Sequence, residues 1–345
     1  MREARFIKKN VDKWNKYQHE ESSDPDEMAN RFVTLLDDLS YSKTFYPHSK
    51  VTRWINGIAA GIYQSIYQNK KNKYSRVLLF WKYELPLLFR RYHKTFLFTL
   101  ILFVLFVTIG VVSSTTDPNY AADYFNHKVQ AGYYDETISR IQKGDPFGVY
   151  KDDNPFSMFV QIAYNNISVA FKSVVFGVLF GIGTILLMWT NGLMLGCFQY
   201  IFFSQGLGWQ SVMVIWIHGT LEISSIVIAS CAGLILGFGC LLPGTYTRKQ
   251  SFLRAAKDAM KICVSLVPFF IVAAFFESYV THLMSNTFQK DSHNLGLPVP
   301  VSLLILAASF FLVLWYFVLY PIRLHKKGVV LADGKIIKNG VTYEL

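Results

Sequence analysis

The sequence predicts an all-α polytopic membrane protein with about six transmembrane helices and an N-terminal cytoplasmic helical head. Three observations carry that prediction. Only 17% of the 345 residues are charged and 52% are hydrophobic, where a soluble domain carries roughly 25% charge. Between Thr95 and Ile322 the apolar residues gather into stretches of about 20, the length that crosses a bilayer as a helix. Lys and Arg crowd the head, the ends of alternate apolar stretches and the tail, as the positive-inside rule requires of cytoplasmic segments.

The net charge of +11 follows from that placement, so nucleic-acid binding is not expected. Cys197, Cys231, Cys240 and Cys263 lie in or beside apolar stretches without C-x-x-C spacing, and read as small buried hydrophobes. The first apolar run begins near Thr95 and reads as a retained span, not a signal peptide.

The head occupies residues 1–94. Asp24-Pro25-Asp26-Glu27 offers an N-cap, a proline at the first helical position and an acid at the third, and Met28, Phe32, Leu35, Leu36 and Leu39 follow at helical spacing. A second amphipathic face carries Val51, Trp54, Ile55, Ile58, Ala59, Ile62 and Ile66, and ends in Lys70, Lys71 and Lys73. From Val77 to Lys94, Phe80, Trp81, Leu87, Leu88 and Phe89 mix with Arg90, Arg91 and Lys94, the composition of a basic-aromatic helix lying in the headgroup region, the alternative being an ordinary packed helix of the head.

The transmembrane bundle covers 95–322, with spans expected at 95–114, 168–190, 192–206, 212–242, 262–284 and 301–320. Residues 115–157 form the expected outer loop, rich in acids and in Tyr120, Tyr124, Phe125, Tyr133 and Tyr134. The 192–206 stretch is short for a span and reads also as a re-entrant or broken helix. An even number of spans puts both termini in the cytoplasm. Residues 323–345 form a cytoplasmic tail, where two apolar runs around Asp333-Gly334 suggest a small β-hairpin.

Helices in lipid are held together by close packing of small residues and by a few polar contacts. On the fourth span His218, Glu222, Ser225, Ala229, Gly233 and Gly237 form one stripe; on the second Asn166, Ala170, Ser173, Gly177, Gly181 and Thr184 do so. Gly192 and Gly196 offer the third span a packing face, Gly219 adjoins His218, and the fifth carries Ala273, Glu277 and Thr281. An unpaired acid at mid-membrane costs about 2.5–3.5 kcal/mol or more. Glu222 therefore needs His218 or an amide from Asn165, Asn166 or Asn191, and Glu277 needs a partner across the bundle, a proton of its own, or water at the outer interface.

The runs N-N-I-S-V-A at 165–170, G-V-L-F-G-I-G-T at 177–184, N-G-L-M-L-G at 191–196, H-G-T-L-E at 218–222, G-L-I-L-G at 233–237 and F-F-E-S-Y-V-T at 275–281 together resemble the stage II sporulation protein M family. The head runs R-F-V-T-L-L-D-D-L-S-Y-S-K-T-F-Y and W-I-N-G-I-A-A-G-I-Y resemble those of its non-sporulating members. The resemblance implies an integral protein of the bacterial cytoplasmic membrane. In spore formers such proteins look like scaffolds that gather peptidoglycan hydrolases, and a general envelope role carries over better to this long-headed chain.

No enzyme is expected. A His and an acid at i and i+4 can share a metal or a proton, but a zinc-protease helix carries a second His that is missing here, and His282 and His293 have no ligand spacing. The glycines of G-I-G-T and G-F-G-C lie inside apolar stretches, so neither a catalytic residue, a metal nor a cofactor is expected. Two readings remain for His218, Glu222 and the asparagines. One is a buried polar lock in a scaffold whose partners are the lipid bilayer, envelope proteins and conceivably further copies of itself. The other is a proton-linked gate in a path for a lipid or small solute.

Overall fold

The computed structural model describes the chain except for residues 1, 21–23, 68–72, 118, 130, 149–153, 290–295, 333–334, 339–340 and 345. Expectations resting on Lys70, Lys71, His293, Asp333 and Gly334, and on the side chains of Ile66 and Lys73, fall outside the described residues. The chain divides into two compact units, Met1–Val77 and Leu78–Leu345. The boundary thus lies earlier than the expected 94/95.

The first unit is three helices, α1 (Glu3–His19), α2 (Pro25–Phe45) and α3 (Lys50–Tyr67). Asp24 caps α2 by accepting from the Asp26 amide, as its position before Pro25 dictates. Phe6 and Trp14 of α1 bury against Leu35 and Leu39 of α2 and Ile55, Ile58 and Ile62 of α3. The Trp14 indole donates to Asp38 at 2.8 Å, satisfying the one polar atom that this ring takes inside. Leu36 falls off the buried stripe and is exposed.

The second unit begins in α4 (Lys73–Leu79), a π-turn (Phe80–Glu84) and α5 (Leu85–Arg91). Residues Leu85 to Phe89 are all buried. The segment expected to lie in the headgroups is therefore packed into one end of the bundle, where Glu84 pairs with Lys261, Arg91 with Asp258 at 3.2 Å, and the Tyr92 hydroxyl donates to Asp258 at 2.8 Å. Six rods follow: α6 (His93–Thr116), α9 (Pro155–Phe176), α10 (Ile182–Ser204), α11 (Gly208–Leu241), a rod of α12 (Arg248–Ser265), α13 (Val267–Phe275), a π-turn (Phe276–Thr281) and α14 (His282–Phe288), and a rod of α15 (Val299–Leu314), a π-turn (Trp315–Leu319) and α16 (Tyr320–Lys326). Between α6 and α9 lie α7 (Tyr120–Lys128) and α8 (Tyr133–Gln142). The tail is an antiparallel sheet of β1 (Val330–Ala332), β2 (Lys335–Lys338) and β3 (Val341–Glu344), one strand more than a hairpin.

Among the described residues five rods are long and apolar enough to cross a membrane, namely α6, α10, α11, Arg248–Phe288 and Val299–Lys326. The sixth, α9, carries Gln161, Asn165, Asn166 and Lys172 and is more polar. Contacts along the rods show their directions. Gly110 meets Leu193 and Gly196, and Ser114 meets Cys197, so α6 and α10 run parallel and the chain must cross back between them. Helix α9 makes that return, with Ser173 on Ser230 and Gly177 on Gly233 setting it parallel to α11. Ser251 on Gly239 and Thr281 on His218 run Arg248–Phe288 antiparallel to α11. The six rods therefore alternate in direction.

The expected spans at 168–190 and 192–206 are drawn differently. Residues 177–181 form a turn in which Phe180 (φ 54°) and Gly181 (φ 85°) adopt left-handed backbone, and α10 then continues unbroken through 190–192. The glycines that look like a packing face inside one helix are the corner between two, because only a residue without a Cβ tolerates that conformation easily. The basic stretch expected after the fourth span is itself helical, and Pro268 near the start of α13 separates that amphipathic half from the apolar half.

Helix α11 is the axis of the bundle, with 72% of its most apolar stretch buried. A Cβ on Gly233 would stand 2.3 Å from the Ser173 carbonyl oxygen, one on Gly177 2.2 Å from the Gly233 carbonyl oxygen, and one on Gly237 2.5 Å from the Gly181 nitrogen. The same closeness joins α6 to α10, where a Cβ on Gly196 would stand 2.3 Å from the Val107 carbonyl oxygen and one on Gly192 2.7 Å from Phe106 Cβ. Gly219 takes no part, its nearest neighbour for an added Cβ being Ile215 at 4.0 Å.

A buried polar cluster between three rods

His218 and Glu222 stand one turn apart on α11, so 3.6-residue periodicity alone places them on one face. His218 lies ten residues beyond Gly208, the start of α11, which is about 15 Å along the helix axis. From the neighbouring rod Glu277 and Thr281 face it, presented by the π-turn Phe276–Thr281. Such a turn inserts a residue into the α-helical register, a device frequent at functional sites. From α9 the Asn166 amide lies beside the Glu222 carboxylate.

The Thr281 hydroxyl lies 3.1 Å from the Phe276 carbonyl oxygen and 3.0 Å from His218 Nδ1, so it ties the imidazole to the backbone of the facing rod. On the other side of the ring Nε2 lies 3.9 Å from Glu277 Oε1. One ligand-type atom from each of His218, Glu222 and Glu277 lies within 4.8 Å of the others. His218 is 4% exposed and Asn166 5%. Among the described residues Asn166 Nδ2 and Ser278 Oγ are buried without a hydrogen-bond partner, which is costly in a dry interior.

Two of the expected amides do not join. Asn165 is exposed and reaches the cluster only through its bond to Asn166 Oδ1 at 3.3 Å. Asn191 sits within α10 and donates to the Leu187 carbonyl of its own helix at 2.7 Å. The cluster's own α9 partner, Asn166, depended on the Gly177–Gly233 contact, which sets the height of α9 against α11.

The connection between α6 and α9 sends one aromatic side chain into the bundle. Phe147 is fully buried, stacked on Phe202 with ring centroids 5.1 Å apart, and joins Met213, Ile217 and Met284 in one cluster. Ser285 donates to the Phe147 carbonyl at 3.3 Å. Helices α7 and α8 cover α10 through Ala121, Phe125, Cys197 and Ile201. Sequence reasoning reads 115–157 as an outer loop with a short helical segment resting on the outer leaflet and misses the burial of Phe147, whose local signal is a lone aromatic in a turn. A cavity of about 850 Å³ lies at the opposite end of the bundle, lined by Arg91, Arg254, Lys257 and Asp258 among others.

A family model described as Stage II sporulation protein M matches residues 99–282, which holds every member of the cluster. A second, described as a domain of unknown function (DUF8413), matches residues 4–68, the three-helix head. No curated protein and no solved structure matches the chain.

Proposed function

We propose, starting from a chain that belongs to the stage II sporulation protein M family, that it is a rigid scaffold of the bacterial cytoplasmic membrane which organises protein partners of the cell envelope and does no chemistry of its own. The observation that carries this reading is the burial of His218 and Asn166 in a bundle whose rods touch backbone to backbone. A polar lock of this kind serves to hold helix register, and a fixed register is what a scaffold needs.

Orientation follows from charge. Arg90, Arg91 and Lys94, then Arg248, Lys249 and Lys257, then Arg323, Lys326 and Lys327 all fall at the same end of the alternating rods. We place that end, with both termini, in the cytoplasm. The head and the basic end are then the surfaces for cytoplasmic partners, and α7 and α8 for outer ones. Self-association is a further use of the exposed apolar sides of α6 and α15.

The test is crosslinking in native membranes followed by mass spectrometry. Stable envelope-protein partners are expected, and Glu222→Gln should lower folded abundance without altering which partners are captured. A second reading, a proton-linked path for a lipid or solute, is favoured by Asn166 Nδ2 and Ser278 Oγ, buried without partners next to titratable groups. It predicts instead a folded Glu222→Gln protein that has lost a pH-dependent flux in liposomes, and that result would replace the scaffold reading.

A further inference from the structure

At the end of the rods where the basic residues gather, a cavity of about 850 Å³ lies between the start of α6, the end of α11 and one face of α12. That volume falls within the roughly 300–1,000 Å³ of sites that hold small molecules. Its polar wall is a single helical stripe, since Arg254, Lys257, Asp258 and Lys261 recur three or four residues apart on α12 and all line it. Like charges at that spacing repel, so Lys257 stands between two cations of its own helix. An anion in front of the stripe relieves them.

The carboxylates that line the cavity are engaged elsewhere. Asp258 takes the Arg91 guanidinium at 3.2 Å and the Tyr92 hydroxyl at 2.8 Å, while the buried Glu84 takes Lys261. Lys257 is exposed and pairs with no acid among the described residues. Arg254 lies over the Tyr246 ring at 4.1 Å, which holds its guanidinium at the cavity wall. Arg91 donates to Asp258 and to the Leu331 carbonyl at 3.0 Å, yet 41% of its side chain meets solvent and further N–H groups of the fork remain. A guanidinium beside an ammonium suits the oxygens of a phosphate.

The other wall is apolar. Ile235, Phe238 and Leu242 line it from the end of α11, and Leu242 is 74% exposed directly after a rod apolar enough to cross a membrane. Thr95, in the first turn of α6, lines the opposite side. One rod thus begins and another ends at the cavity, which sets it at the depth of the lipid headgroups. Cations beside exposed hydrocarbon at that depth match a molecule charged at one end and apolar at the other.

We propose that this cavity binds the phosphate of an anionic phospholipid, with Lys257 and Arg91 facing the phosphate oxygens and the acyl chains lying along Phe238 and Leu242. Basic pockets between membrane helices recognise anionic headgroups in this way. In sequence the cations after the fourth span read as a topology signal alone, because the cavity also needs Arg91 from before the first span. The inference stands apart from the scaffold reading, since a bundle that holds no lipid here could still gather partners.

The experiment uses the full chain, purified in a neutral detergent, delipidated, and titrated in separate arms with phosphatidylglycerol, phosphatidylcholine of the same chains, and inorganic phosphate. Native mass spectrometry counts the lipid retained, and the thermal midpoint reports binding. One phosphatidylglycerol per chain should be retained and raise the midpoint, and phosphatidylcholine should be held about tenfold more weakly. Inorganic phosphate should neither raise the midpoint nor displace the lipid. Lys257→Gln breaks no ion pair and should weaken phosphatidylglycerol about fivefold, the worth of one cation beside an anionic surface, with the lipid-free midpoint unchanged. Lys249→Gln removes an exposed charge of the same helix that does not line the cavity, and should leave the affinity as it is. Equal affinity for the two lipids, or a Lys257→Gln protein that binds like wild type, would overturn the proposal. An equal loss in Lys249→Gln would also overturn it, by reducing the site to general attraction at a charged surface. A midpoint raised as much by inorganic phosphate would do so too, by making the site one for a soluble anion.

Discussion

Replacing Gly233 by alanine puts one methyl group into the closest helix contact of the bundle. The added Cβ would lie 2.3 Å from the Ser173 carbonyl oxygen and 2.4 Å from Thr184 Oγ1, in a seam where Thr184 also donates to that carbonyl at 2.7 Å. Ordinary contact needs about 3.5 Å, so α9 and the start of α10 must move off α11 by about 1 Å. Overpacking of this kind costs about 1–3 kcal/mol and loss of the threonine bond about 0.5–1.5 kcal/mol, while alanine returns about 1 kcal/mol of helix propensity. The net expectation is a loss of about 1–3 kcal/mol. Gly219→Ala is the control, for its added Cβ meets nothing nearer than Ile215 at 4.0 Å, and it should be neutral or stabilise by up to about 1 kcal/mol. Unfolding in mixed micelles of increasing SDS fraction, followed by circular dichroism, measures both. A Gly233→Ala protein within about 0.5 kcal/mol of wild type, or a Gly219→Ala protein equally damaged, would refute the packing argument.

Phe147→Ala should cost about 3–5 kcal/mol in the same assay. Because Phe147 is fully buried against Phe202, its loss should also speed modification of His218 by diethyl pyrocarbonate, followed residue by residue in a mass spectrometer. Lys261→Met leaves Glu84 buried without its cation, Lys261 itself keeping 25% of its side chain in solvent. The cost should be about 2 kcal/mol, below the ~3–5 of a fully buried pair; a variant as stable as wild type would show the pair to be ornamental. Burial pushes the Tyr124 hydroxyl up to about 12 from its ordinary 10.0 while it donates to the Thr190 carbonyl. The folded state holds this proton more tightly than the unfolded state does, so the stabilisation is complete below about pH 10 and is lost as pH rises through about 12. Tyr124→Phe should flatten that alkaline limb of an unfolding curve.

What the sequence determined by itself was whatever depends on short-range regularity. Charge depletion and apolar run length placed the chain in a membrane, and the helical period put His218 with Glu222 and lined Gly233 with Gly237 on one stripe. Asp24 before Pro25 announced the start of α2 because a cap acts over two residues.

Tertiary structure decided what depends on which stripe meets which. A glycine pattern reads alike whether it packs inside a helix or turns a corner, so Gly177 to Gly181 became a corner only once α9 met α11. Asn166 and not Asn191 joined the acids, because the height at which α9 stands against α11 is fixed by backbone contact at Gly233, far from either amide in sequence. Gly219 looked like its neighbours yet, though buried, makes no close helix contact, an added Cβ meeting only Ile215 at 4.0 Å. Glu277 and the Thr281 hydroxyl were brought to His218 by a π-turn on another rod. Side-chain geometry across a bundle is set by the packing of all its rods together, and no local window of sequence contains that sum.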